Sequence, residues 1–368
     1  MKKVERKILA ILSIAVAIFA VFAVASVASA GLKNVGAIYT IDNAAAGNNV
    51  LYYSRAADGS ITYVSSFSTN GLGTGTKLAS QGAVVLTEDG RFLLVVDAGS
   101  NEISVFKVQS NGLTYSSKAG SNGTMPISLT VYENWVYVLD AGGSGNIAGF
   151  TLSKSGVLTY IPGSNQPLSG ASTPSPEQIG FSPDGNVLVV TEKGTNTIDT
   201  YMVGTNGVAS APTTHASNAF GPYGFAFTDD DKLVLSEAAN NTLSSYIISD
   251  QGDLRTISGA MPTFGNAPCW VTINDKGSFA YTTNAHGGTI STFSISWNGG
   301  ITLLSSVAAT INVPALDMAF SHHSQFLYVL NGNSPAGITG FKVYPDGSLS
   351  QVTSVSGIAG SAAGLAAS

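Results

Sequence analysis

The sequence predicts an all-β fold, a seven-bladed β-propeller of four-stranded antiparallel blades, on three observations. It holds a repeat of roughly 47 residues, four short β-rich runs in each repeat, and seven copies of a polar residue that closes the second run. The clearest copy passes through 268–273, the turn Asn274-Asp275-Lys276-Gly277, then 279–284, 289–295 and 301–304. Each run has strand length and is rich in Val, Ile, Tyr, Phe and Thr, while Asp, Asn and Gly supply the tight turns between runs. The same order restarts at Gln81, Pro126, Pro176, Pro222 and Pro314. The closing residues are Asp42, Asp97, Asp140, Glu192, Glu237, Asn284 and Asn331, at spacings of 55, 43, 52, 45, 47 and 47. Seven such residues imply seven blades.

Taken in order, residues 1–30 come before the fold. Lys2, Lys3, Arg6 and Lys7 precede a charge-free apolar run over 8–27, which ends in Ala28-Ser29-Ala30. These are the three parts of an export signal, cleaved between Ala30 and Gly31. Left uncleaved, a run of about 20 apolar residues could instead span a bilayer. Cleavage would leave residues 31–368 as one domain, expected to be a monomer that is secreted, periplasmic or on the cell surface. The first unit opens at Val35-Gly36-Ala37-Ile38-Tyr39-Thr40, which matches a second run, so its innermost strand is missing. Ala363-Gly364-Leu365-Ala366-Ala367-Ser368 has the small apolar character of that strand. The C-terminal segment is therefore expected to complete blade one and close the ring without an exposed edge.

The chain carries 16 Lys+Arg against 22 Asp+Glu. Loss of the leader removes four cations and Glu5, leaving 12 against 21, a net charge of −9. An acidic chain with no basic stripe is excluded from the usual nucleic-acid binders. Three arginines remain, Arg55, Arg91 and Arg255, which disfavours strongly anionic ligands held by guanidinium forks. The single cysteine, Cys269, rules out an intrachain disulfide framework, so stability must come from burial.

Phe181-Ser182-Pro183-Asp184-Gly185, Thr191-Glu192-Lys193-Gly194, Pro222-Tyr223-Gly224-Phe225 and Ala267-Pro268-Cys269-Trp270 together resemble the propeller lactonases, in particular an exported branch. That family includes 6-phosphogluconolactonases and carboxymuconate cyclases. Tyr281-Thr282-Thr283-Asn284 also resembles the Tyr-Val-Thr-Asn signature of surface propellers. The lactonase resemblance implies a catalytic glutamate on blade five, and Glu237 matches its position. It also implies Arg and His residues at strand starts, where this chain has Gly221-Pro222-Tyr223-Gly224.

Propeller geometry puts the ends of the second strands and the starts of the innermost strands at one mouth of the channel. Asp42, Asp97, Asp140, Glu192 and Glu237 are thus expected to ring that mouth. There they would raise one another's pKa, bind a cation such as calcium, or accept hydrogen bonds from neighbouring loops. His286 and His215 are placed to assist Glu237, and Lys193 is the one cation evident beside the mouth. His322 and His323 belong to the opposite face. Tyr223 and Trp270 could form an aromatic platform for a ring or pack between blades, and Cys269 reads as a buried small hydrophobe. No phosphate loop, zinc spacing or EF-type loop is present, so no cofactor is expected. Two readings follow: a lactonase or lactone-forming cyclase acting on a neutral lactone, with Glu237, His286 and His215 catalytic; or a non-catalytic propeller that binds a glycan, cation or partner protein through Asp97, Asp140, Glu192, Lys193, Tyr223 and Trp270.

Overall fold

The computed structural model describes residues 34–332 and 336–368, and the predicted leader lies outside them. Seven antiparallel sheets, consecutive along the chain, make the predicted seven blades. The second strand of a blade is buried on both faces between its neighbours, which explains unbroken apolar runs where a half-exposed strand would alternate. Phe92–Asp97, Val187–Glu192 and Phe326–Asn331 are buried at every position. Outermost strands such as Leu254–Pro262 and Ile301–Thr310 mix exposed and half-buried residues.

Blade one consists of Asn34–Ile41, Asn49–Ala56 and Ile61–Ser68, and Ala363–Ala367 pairs antiparallel with the first of these. Closure follows the predicted arrangement. Arg55 Nε donates to the Ser368 carbonyl at 2.8 Å and Ala37 N to Ser368 Oγ at 3.0 Å. A Cβ on Gly36 would stand 2.1 Å from the Ser368 carbonyl oxygen, so only glycine admits this strand.

Blade three departs from the uniform pattern. Its outermost strand is split into Leu158–Tyr160 and Gln166–Pro167, with Pro162-Gly163 between them. Proline has no N–H to give to a ladder. Ser164 fills the gap, with its hydroxyl accepting from Gly149 N at 2.9 Å and donating to Gly149 O at 3.1 Å. The 52-residue spacing from Asp140 to Glu192 contains this interruption.

Neighbouring blades are tied by a recurring tyrosine on the second strand. Tyr137, Tyr281 and Tyr328 donate to the carbonyls of Gly207, Gly347 and Gly59, each in a hairpin of the following blade, at 2.6, 3.0 and 2.7 Å. The Tyr-Thr-Thr-Asn motif therefore has a mechanical role: Tyr281 reaches the next blade while Asn284 ties its own. Tyr281→Phe is expected to lower the unfolding free energy by about 1 kcal/mol, because the Gly347 carbonyl loses its buried partner. The shift in urea midpoint would measure this.

The pairs Pro126↔Asp140, Pro176↔Glu192, Pro222↔Glu237 and Pro268↔Asn284 bring the starts of the innermost strands and the closing residues to one face. That shared face is where the functional site must be sought.

Candidate functional site

The closing carboxylates reach this face but turn into their own blades. Glu237 is fully buried and accepts from Ser217 Oγ (3.3 Å), Ala219 N (3.1 Å), Thr242 Oγ1 (2.6 Å) and Ser244 Oγ (2.6 Å). Asp97 takes Asn48 Nδ2, Thr69 Oγ1 and Ser104 Oγ at 2.9, 2.5 and 2.6 Å. Glu192 takes Ser169 N, Ser169 Oγ and Thr195 Oγ1 at 2.8, 2.6 and 2.7 Å. Asp42 accepts from Ala44 N, Asn49 N and Asn49 Nδ2. Where an amide replaces the carboxylate the polarity reverses, and Asn284 donates to Thr289 Oγ1 and Ser291 Oγ. Each is a latch within a blade or to the adjoining loop.

Two latches are imperfect. Ser104, Ser244, Ser291 and Thr339 occupy one third-strand position, at which blade four has Asp199 and blade three has Ala148. Burial, reinforced by the Glu192 carboxylate beside it, pushes Asp199 up to about 7. Asp140 has no donor on either oxygen, and burial pushes it up to about 7. A carboxyl raised on folding binds protons that the unfolded chain has released. Its contribution is therefore most favourable near pH 4, falls as pH rises, and levels off above about 7. Asp140→Asn is accordingly expected to stabilise the protein at pH 8 and to change little at pH 4, as followed by urea unfolding at both values.

Among the described residues no three His, Cys, Asp or Glu side chains converge as metal ligands. In place of the expected ring of mutually interacting carboxylates, Asp42, Asp97, Glu192 and Glu237 form separate latches. His215 lies on the outermost strand Thr213–Ala216 of blade four, its Nε2 3.0 Å from Thr200 Oγ1. It does not meet Glu237.

A cavity of about 630 Å³ does open at this mouth, within the size range of small-molecule sites. Lys193, Tyr223, Trp270 and His286 of the expected residues line it, together with Cys269 and Lys77. The link from blade one to blade two crosses over to form part of its wall, and the 55-residue first spacing makes room for this link. Tyr223 donates its hydroxyl to the Ala79 carbonyl, and Trp270 Nε1 donates to the Ser80 carbonyl at 3.1 Å. Gln81 then bridges the channel, its Nε2 donating to Val271 O at 2.7 Å and its Oε1 accepting from Val271 N at 3.1 Å. Gly224 permits this bridge, since a Cβ there would lie 2.3 Å from Gln81 Oε1. Tyr223 and Trp270 meet edge to face, with centroids 5.5 Å apart and planes at 68°.

Glu177, the second residue of Pro176–Phe181, is buried next to the cavity-lining Lys193. It forms an ion pair with Lys193, whose ammonium also sits 5.2 Å from the Tyr223 ring centroid. Burial raises Glu177 to about 7, and the Lys193 charge only partly offsets this. Burial, with the Glu177 charge nearby, pushes the Cys269 thiol up to about 12, so it stays protonated and unreactive at neutral pH. The signal for Glu177 was in the repeat itself: Ile127, Tyr223, Cys269 and Leu316 hold the equivalent place after the strand-opening residue, so a carboxylate there interrupts a column of largely apolar side chains.

The model of the seven-bladed β-propeller lactonase family matches residues 34–163 and 233–315. The chain belongs to the seven-bladed β-propeller lactonase family. Several solved structures share its fold at low identity. The periplasmic gluconolactonase of Pseudomonas aeruginosa superposes with a TM-score of 0.69 at 17% identity, covering 90% of this chain and 98% of its own. A Lactobacillus plantarum protein gives 0.75 at 16%, covering 90% and 99%. Virginiamycin B lyase of Staphylococcus aureus, solved in an inactive form with quinupristin, gives 0.54 at 16%, covering 77% and 86%. Among curated sequences, the adhesin BmaC autotransporter of Brucella suis is 25% identical over 235 residues, 63% of this chain. The chain spans about 7% of that adhesin's length. Within this lactonase-family propeller, then, the mouth cavity is lined by Lys77, Lys193, Tyr223 and Trp270, and Lys193 joins it to the buried carboxyl of Glu177.

Proposed function

We propose that this protein is an exported lactonase that opens a small lactone in the mouth cavity, with Glu177 as general base and Lys193 as oxyanion stabiliser. The observation that carries the reading is the ion pair between buried Glu177, raised to about 7, and the part-exposed Lys193 that lines a cavity of about 630 Å³. A base poised near neutral pH is efficient in proton transfer. Water attacks the lactone carbonyl carbon and gives its proton to Glu177. The Lys193 ammonium stabilises the oxyanion. Collapse breaks the ring C–O bond, and the proton passes from Glu177 to the leaving alkoxide, giving the hydroxy acid. Trp270 and Tyr223 wall the site, and His286 stands at its exposed rim. Glu237, whose carboxylate accepts four hydrogen bonds from the protein, serves as a latch in this reading. Export rests on the basic, apolar and Ala-x-Ala parts of residues 1–30, with residues 31–368 as the mature monomeric domain.

A panel of lactones incubated with the purified mature protein tests the proposal by release of the hydroxy acid. Lys193→Met is expected to lower kcat/KM by about 100-fold, the usual cost of removing an oxyanion donor. Turnover of no lactone, or full activity in Lys193→Met, would reject it. A second reading, a surface module that binds a partner or glycan without chemistry, is favoured by the match to the Brucella adhesin. Cell-surface retention together with glycan binding in the absence of turnover would support that alternative.

A further inference from the structure

The cavity wall is unlike a site for a polyhydroxylated ring. Six alanines line it, Ala79, Ala238, Ala239, Ala267, Ala285 and Ala315, along with Leu316, Pro314 and Trp270. Its polar groups are few and several are already engaged. The Tyr223 hydroxyl is given to Ala79, and Asn241 Oδ1 accepts from Ala267 N at 2.8 Å. Sugar hydroxyls buried against this wall would lose water without gaining partners, at about 1–3 kcal/mol each.

The rim continues the apolar character outward. Phe220 and Phe264, in the loops entering blades five and six, are 64% and 77% exposed. The Phe264 loop supplies cavity lining through Asn266 and Ala267, and the Phe220 carbonyl accepts from the N–H of Ala239, itself a lining residue. The corresponding loops of blades three and four, around 122–125 and 171–175, contain no aromatic residue. Exposed phenyl groups thus occur beside the cavity and not in those two loops, where their removal from water by a bound ligand would be favourable.

We propose that the substrate is a lactone bearing an alkyl or aryl substituent, its ring at Lys193 and its apolar arm lying along the alanine wall to Phe220 and Phe264. This rests on the lactonase reading for the ring's position, while the preference for an apolar arm is a property of binding alone. The test therefore separates the two. Calorimetry on the full mature domain carrying Glu177→Gln would compare δ-valerolactone, δ-decalactone and glucono-δ-lactone in mildly acidic buffer, and the unsubstituted protein would be assayed for turnover of each. Burial of even two methylenes is worth about tenfold in affinity, so δ-decalactone is expected to bind at least about tenfold tighter than δ-valerolactone. The double substitution Phe220→Ala, Phe264→Ala is expected to erase most of that gain while leaving δ-valerolactone binding unchanged. Equal binding of the two, tighter binding of glucono-δ-lactone, or indifference to the phenylalanines would overturn the proposal. Tight δ-decalactone binding without turnover would sustain it and sink the catalytic reading. Turnover of glucono-δ-lactone in preference would do the reverse.

Discussion

Glu177→Gln is expected to lower kcat for lactone hydrolysis by about 100-fold or more, the range for loss of a positioned general base. Glutamine keeps the shape and can still meet Lys193, but it cannot take a proton from water. KM is expected to change little, since the loss falls on the transition state. Stability is also expected to hold. The charge removed is one that burial already disfavours, and its partner Lys193 is 40% exposed and can be solvated. The pH profile supplies a second readout. Because Glu177 is raised to about 7, the active carboxylate forms as pH rises. Activity should climb through about pH 7 and level off above it, and the residual activity of Glu177→Gln should lack that step. A variant that retains full activity, or a wild-type profile flat from pH 5 to 9, would remove Glu177 from the mechanism.

The blade count and ring closure were legible in the sequence because both depend on repetition. Seven closing residues with similar spacing, and a terminal segment that resembles a missing strand, are properties of the chain order. The two irregular spacings also had structural causes: the link over the cavity in the first and the split outer strand in the third. The site was less legible, because a residue's position in a repeat fixes the face it reaches and leaves open the direction in which its side chain turns. Glu237 and Glu192 reach the mouth face, yet serines and threonines on the next loop and strand draw them into the blade. Glu177 and Lys193 directly follow the paired residues Pro176 and Glu192 on adjacent strands of blade four, so their ion pair is local to one blade. The cavity wall around the pair, by contrast, depends on which neighbour stands across the channel, as Gln81 does from blade two to blade six. Lys193, Tyr223, Trp270 and His286 came together because their loops share a sector of the mouth.

Glu237→Ala is expected to destabilise the protein by about 4 kcal/mol, since it leaves buried donors unpaired and opens a void in a packed blade. For a propeller of this size that corresponds to a fall in Tm of about 6 °C. Thr242, Ser244 and Ala219 N would all face the void, whereas Glu237→Gln retains some of these bonds and should cost less. The contrast with Glu177 is the informative part. If Glu237 acts as a latch, its substitution lowers Tm while the folded fraction keeps its kcat. If it acts as the acid or base implied by family resemblance, Glu237→Gln loses turnover at unchanged Tm. Thermal unfolding and active-site-normalised kcat measured on Glu177→Gln and Glu237→Gln together assign one glutamate to chemistry and the other to architecture. The four hydrogen bonds to Glu237 favour the latch, because a carboxylate with its acceptor sites filled by protein donors has little capacity left for water or substrate.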